Sequence, residues 1–181
     1  MHFGFVIRIT EQDYLDFNYF HALESKQGKK QLMKSRLAML ALYALLMLMA
    51  ILLTGWKDYT AWYILSILLC ALIHTLLLKR SMKRNIRKGI KNMKKTGRLP
   101  YDEESKLEFF DNVLVETGPT NRTEYKYQAV ERVCIVKDRL VLIYTSSVQA
   151  YVIPIWQLRQ QVDMEAFLAF LTVKCGMIEY C

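Results

Sequence analysis

The chain is 181 residues long and carries 25 Lys and Arg against 17 Asp and Glu, a formal net charge of +8. Ten of the basic residues fall between Lys79 and Arg98, where no acid occurs. The remainder is close to neutral, so a basic surface spread over the whole molecule is excluded. Two uncharged runs leave only about 140 other residues, too few to cover both as the buried hairpin of a soluble protein.

In the opening segment, residues 1–36, Phe3, Phe5, Ile7 and Ile9 alternate with Gly4, Val6 and Arg8, the period of a half-buried strand. Thr10 and Asp13 then have the spacing of a capping box that opens a juxtamembrane helix. A lone strand leaves its backbone groups unpaired, so this one is expected to join a sheet built later in the chain.

Residues 37–56 and 59–78 contain no Lys, Arg, Asp or Glu, and Lys57-Asp58 separates them. At about 1.5 Å per residue each run spans roughly 30 Å as a helix, the thickness of a bilayer core. The pair therefore reads as a transmembrane hairpin. Lys26, Lys29, Lys30, Lys34 and Arg36 precede it, and Lys79, Arg80, Lys83, Arg84, Arg87, Lys88 and Lys91 follow, whereas the turn holds only Lys57. Positive flanks stay inside, so both termini are expected in the cytoplasm at the cell membrane, with residues 55–60 outside. Trp56, Tyr59, Trp62 and Tyr63 would form an aromatic belt at the outer turn. No small-x-small cleavage pattern follows the first run, so both spans are expected to persist.

Residues 79–100 read as a basic amphipathic helix continuous with the second span. Met82, Ile86, Ile90 and Met93 form its apolar stripe, Gly89 is a candidate bend, and Gly97 and Pro100 close it. Lys79, Arg80, Lys83, Arg84, Arg87 and Lys88 are the candidate contacts for anionic lipid headgroups, each worth about 1 kcal/mol at an anionic leaflet. The alternative is that the stripe packs on the C-terminal part, where eight Lys and Arg face twelve Asp and Glu. The stretch lacks an aromatic residue for base stacking, and nucleic acid is not an expected partner.

Residues 101–181 form the last segment. Short β-branched and aromatic runs at residues 106–110, 113–117, 123–127, 133–136, 140–144 and 149–153 are punctuated by Asp111-Asn112, by residues 118–121, by residues 137–139 and by Ser146-Ser147. Pro154 ends the last of them. Asp163 is an N-cap for a helix whose apolar face is Met164, Phe167, Leu168 and Leu171, with Gly176 as its C-terminal stop. The fold class is thus an α+β membrane protein: a two-helix hairpin plus a small cytoplasmic antiparallel β domain of six to seven strands, closed by a C-terminal helix.

Four features together resemble the YcxB-like family of small bacterial membrane proteins. They are the opening FVIRITEQDYLDFNYFHALESKQGKK, the hairpin, the basic KRSMKRNIRKGIKNMKK and the stretch YKYQAVERVCIVKDRLVLIYTSSVQAYVIP. The resemblance covers essentially the whole chain and lies in the order of parts. It implies a pleckstrin-homology-like (PH-like) C-terminal domain, and it implies no catalytic residues. Relatives often place basic residues after the Pro that ends the last strand. Here Ile155 and Trp156 follow Pro154, and Trp156 reads as a plug for the end of the sheet.

Catalytic and cofactor motifs are absent from the sequence, so no enzyme activity and no cofactor are expected. Cys70, Cys134, Cys175 and Cys181 lack metal-ligand spacing; the cytoplasm is expected to keep the last three reduced, while Cys70 sits in the second span. Cys134 reads as a strand core residue. His74 is a titratable group inside a span, near enough to Lys79 to reach the interface. Ser66 and Cys70 are a small-xxx-small pair that could pack the two helices together. Two functions follow from these parts: a membrane-anchored interaction or regulatory module with a protein or lipid partner, or an accessory subunit of a transport or export complex. Two spans enclose no pathway alone, which favours the module.

Overall fold

A computed structural model describes residues 1–55, 60–97, 99, 101, 102 and 104–181. The expected outer turn at Lys57-Asp58, with Trp56 and Tyr59, lies outside the described residues, as does Pro100. Among the described residues the chain is α+β and divides into two compact units. Residues 1–20 and 89–181 make a β unit, and residues 21–88 make a helical unit.

The β unit begins with β1 (Phe3–Arg8), which pairs antiparallel with β2 (Glu104–Phe109), Phe5 opposite Leu107 and Ile7 opposite Ser105. The first strand therefore joins the C-terminal sheet, as its alternation requires. β3 (Val113–Thr117) and β4 (Arg122–Lys126) complete a sheet of order β1-β2-β3-β4. β5 (Arg132–Val136), β6 (Leu140–Tyr144), β7 (Ala150–Pro154) and β8 (Ile178–Tyr180) form a second sheet of order β7-β6-β5-β8, in which β8 runs parallel to β5. The β5–β6 turn passes through Lys137 and Asp138, both left-handed.

One core lies between the sheets. Phe5, Ile7, Leu107, Phe109 and Leu114 come from the first sheet, and Val133, Ile135, Val141, Ile143 and Ile153 from the second. Each such side chain contributes roughly 1.5–3 kcal/mol on burial. The far face of the second sheet is covered too. Phe17 of α1 (Glu11–Tyr19) and the following Phe20 pack on Cys134, Val136, Leu142 and Tyr144. All five residues of β6 are consequently buried. Thr10 and Asp13 form the expected capping box, Thr10 N donating to the Asp13 carboxylate and Asp13 N to the Thr10 hydroxyl.

Two helices close the unit. In α5 (Met164–Cys175) Phe167 and Leu171 are wholly buried, the Asp163 carboxylate caps Glu165 N and Ala166 N, and Gly176 stops the helix at φ +86°. Before it comes α4 (Ile155–Gln161), where the sequence reading placed no helix. Trp156 is not a plug: it lies in the first turn of α4 and is 56% exposed, while Ile155 and Leu158 take the core positions.

The role of α4 is set by two glutamines one helical turn apart. Gln161 accepts from Val6 N (3.0 Å) and donates to Val6 O (2.8 Å); Gln157 accepts from Arg8 N (2.8 Å) and donates to Arg8 O (2.7 Å). The two side-chain amides act as rungs of a ladder on the outer edge of β1, which would otherwise present unpaired backbone groups.

A π-helical turn, Phe20–Glu24, leads into the helical unit, which continues as α2 (Lys26–Thr54) behind the Ser25 N-cap. Gly28 sits against the backbone of His21 and Ala22, where a Cβ would collide, so the junction requires glycine. α3 (Thr60–Lys95) runs 36 residues without a break through Gly89. α2 and α3 are both long and apolar enough to cross a membrane, and their most apolar windows are 0% and 6% buried. Ser66 and Cys70 lie on the exposed side of α3; the inward small residue is Ala71, 8% exposed.

Candidate functional site

The six cationic side chains singled out from the sequence stand on the C-terminal half of α3. Lys79, Arg80, Lys83, Arg84, Arg87 and Lys88 are all exposed. At about 100° per residue they occupy roughly half of the helix circumference. Met82 and Ile86, on the other half, are partly buried. The unit boundary then cuts the expected basic helix after Lys88. Beyond it Ile90 is 4% exposed and Lys94 pairs with Glu11 of α1 at 3.2 Å, so the end of α3 belongs to the β unit. Met93 departs from the expected stripe: it is 43% exposed.

Within the helical unit the structure adds a groove of about 770 Å³ where the apolar and basic parts of α3 meet. Ile73 and Leu77 line its apolar end, His74 and Tyr43 of α2 its wall, and Arg80 and Arg84 its polar end. The His74 and Tyr43 rings are 6.3 Å apart at 66°. Two guanidinium groups one turn apart suit an anionic oxygen cluster, because each offers a planar fork of donors. The apolar wall below them suits a hydrocarbon chain. Ile73, Leu77, Arg80 and Arg84 recur at steps of four, three and four, so this stripe was readable; the contribution of Tyr43 from the other helix was not.

The β unit has its own cleft, about 660 Å³, lined by Tyr14, Tyr101, Asp102, Glu116, Tyr125 and Tyr151 among others. Tyr125 and Tyr151 meet edge to face at 5.5 Å, and Tyr14 and Tyr101 lie 4.7 Å apart. Burial pushes the Glu116 carboxyl above its ordinary range, and the Asp102 charge adds to the shift. The cleft is acidic and aromatic, opposite in character to the arginine groove. The three histidines stand apart, His2 just before β1 and the other two in separate helical elements. His2 bonds Asp111 at 2.7 Å and holds that carboxyl below its usual range; His21 lies in the π-helical turn and His74 in α3.

Comparison with protein-family models, with curated proteins and with solved structures gives no match to this chain.

Proposed function

We propose that the chain is a membrane-anchored, non-enzymatic interaction module of the YcxB-like kind, with a PH-like β unit at the cytoplasmic face. α2 and α3 form its membrane hairpin, and Arg80 and Arg84, with Lys79, Lys83, Arg87 and Lys88 around them, hold anionic headgroups.

The observation that carries this reading is the β1–β2 ladder. Phe3 pairs with Phe109 and Arg8 with Glu104, and both long apolar helices lie between those strands in the chain. Whatever the helices cross, the chain must return to the side it left, which an even number of crossings provides. Their exposed apolar surface supports insertion: Leu52, Leu53 and Leu76 are 73, 81 and 70% exposed, a cost in water that lipid removes. The excess of cationic flanks over the turn sets the orientation.

Orientation is tested with one added cysteine at a time in a Cys70→Ser, Cys175→Ser, Cys181→Ser background, where the only native thiol left is the buried Cys134. Ala61→Cys is expected to react with a membrane-impermeant thiol reagent in intact cells, and Thr120→Cys only after lysis. The reverse pattern removes the cytoplasmic placement and the headgroup assignment with it.

Headgroup contact is tested by changing Lys83, Arg84, Arg87 and Lys88 together to Gln, which keeps helix propensity high. The four charges are worth about 1 kcal/mol each at an anionic leaflet. The full-length variant is expected to lose its enrichment of anionic lipid in mixed nanodiscs, and added salt should mimic the loss. Unchanged lipid preference with a lowered melting temperature of the β unit would make the basic run an internal strut instead.

A further inference from the structure

Three chemistry-bearing side chains meet on the second sheet, one of them more than forty positions from the other two in the sequence. Cys134 stands in β5, Glu179 is its direct partner in β8, and Cys181 follows at the end of that strand, where its N–H donates to Ile135 O at 2.9 Å. The two sulfurs and a Glu179 carboxylate oxygen all lie within 4.8 Å of one another, and Cys134 Sγ is 3.8 Å from Glu179 Oε2. A tetrahedral ion bound at about 2.3 Å from sulfur and 2.0 Å from oxygen holds such ligand atoms roughly 3.5–3.8 Å apart. The cluster is therefore within a small side-chain adjustment of a coordination shell.

We propose that Cys134, Glu179 and Cys181 form a three-ligand site for a soft divalent cation, Zn²⁺ in the first instance, with the exposed fourth position taken by water. Two thiolates select a soft metal over Mg²⁺ or Ca²⁺, which take oxygen ligands. Access is open, because Cys181 is exposed while Cys134 is buried. The charge balance is also favourable. Two thiolates, one carboxylate and Zn²⁺ sum to −1, and the Arg132 guanidinium, 4.2 Å over the Tyr144 ring, acts electrostatically on Cys134 in the direction that favours its thiolate. Burial pushes the Cys134 thiol up, and the neighbouring Cys181 adds to the shift against the Arg132 charge. The ion would bridge β5 and β8 and lock the three-residue edge strand to the sheet.

The test uses the intact protein in detergent with a phosphine reductant and Co²⁺ as the probe. One equivalent is expected to bind with a thiolate-to-cobalt charge-transfer band in the near ultraviolet and the intense visible bands of tetrahedral cobalt. Zn²⁺ should bleach them. Cys181→Ser, at an exposed position that leaves the core intact, should halve the charge-transfer intensity and weaken binding at least tenfold. Glu179→Gln should weaken binding while keeping the two-thiolate intensity, and Cys70→Ser and Cys175→Ser should change neither. Zn²⁺ should raise the melting temperature of the native chain and not that of Cys181→Ser. The proposal is overturned by the absence of stoichiometric cobalt binding, by an unaltered spectrum in Cys181→Ser, or by a Cys134–Cys181 disulfide that persists in the reductant.

Discussion

Phe5→Asp is expected to unfold the β unit while leaving the two long helices folded. Phe5 is 3% exposed, its ring stacks on Phe109 at 5.6 Å, and Phe167 meets it edge-on at 5.5 Å. Deleting such a ring costs about 3–5 kcal/mol, and placing a carboxylate there adds several more unless the strand is expelled. Expulsion is no escape, because β1 covers the edge of β2 and supplies Ile7 and Phe5 to the core. The total matches or exceeds the 5–15 kcal/mol that typically holds a domain together. Limited proteolysis in detergent checks this: the β unit should become sensitive at protease levels the native chain resists. Val6→Asp is the control, since Val6 faces outward on the same strand and is 38% exposed. Resistance equal to the native chain in Phe5→Asp would show that β1 contributes nothing to the core.

Phe167→Ala is expected to be the most damaging truncation within α5. The ring has no exposed surface and lies 5.0 Å from Phe109, 5.4 Å from Phe3 and 5.5 Å from Phe5, each contact edge to face. Cavity formation costs about 3–5 kcal/mol, and each lost aromatic pair about 0.5–1.5 beyond its area. For a unit of this size that corresponds to a fall in melting temperature of roughly 15 °C or more. Leu168→Ala, one residue on and only partly buried, should cost a fraction of that. Equal shifts for the two would remove the aromatic cluster as the centre of the fold.

The sequence was legible where burial imposes a period. β1 alternates because one face is buried and β4 because one face is partly covered, and the unbroken Leu140–Tyr144 run is apolar because α1 covers one face of β6 and the main core the other. The Asp163 cap and Gly176 stop were readable because capping chemistry is local. α4 was not, since two turns give too short a period and Pro154 resembles a terminus. Its defining residues, Gln157 and Gln161, look like surface glutamines until β1 is placed beside them. β8 is equally silent: three residues are specified by a parallel partner more than forty positions away. The basic face of α3 was visible as a charge run. The Tyr43 wall of its groove, and the meeting of Cys134 with Cys181, depend on pairings between distant elements that spacing does not record.

The ladder between β1 and β2 also sets a schedule. β1 is synthesised first, yet its partner follows only after both helices are made, about 5–20 seconds later at typical elongation rates. Throughout that interval FGFVIR is an apolar strand with two open edges, the kind of segment that pairs with other chains. With the helices inserted as proposed, a nascent chain that managed only one crossing would strand β1 and β2 on opposite sides of the bilayer. Its β unit would stay open at the edge and be degraded as unfolded protein. On that proposed topology, completion of the sheet would double as a proofreading step for insertion, carried out by the chain on itself.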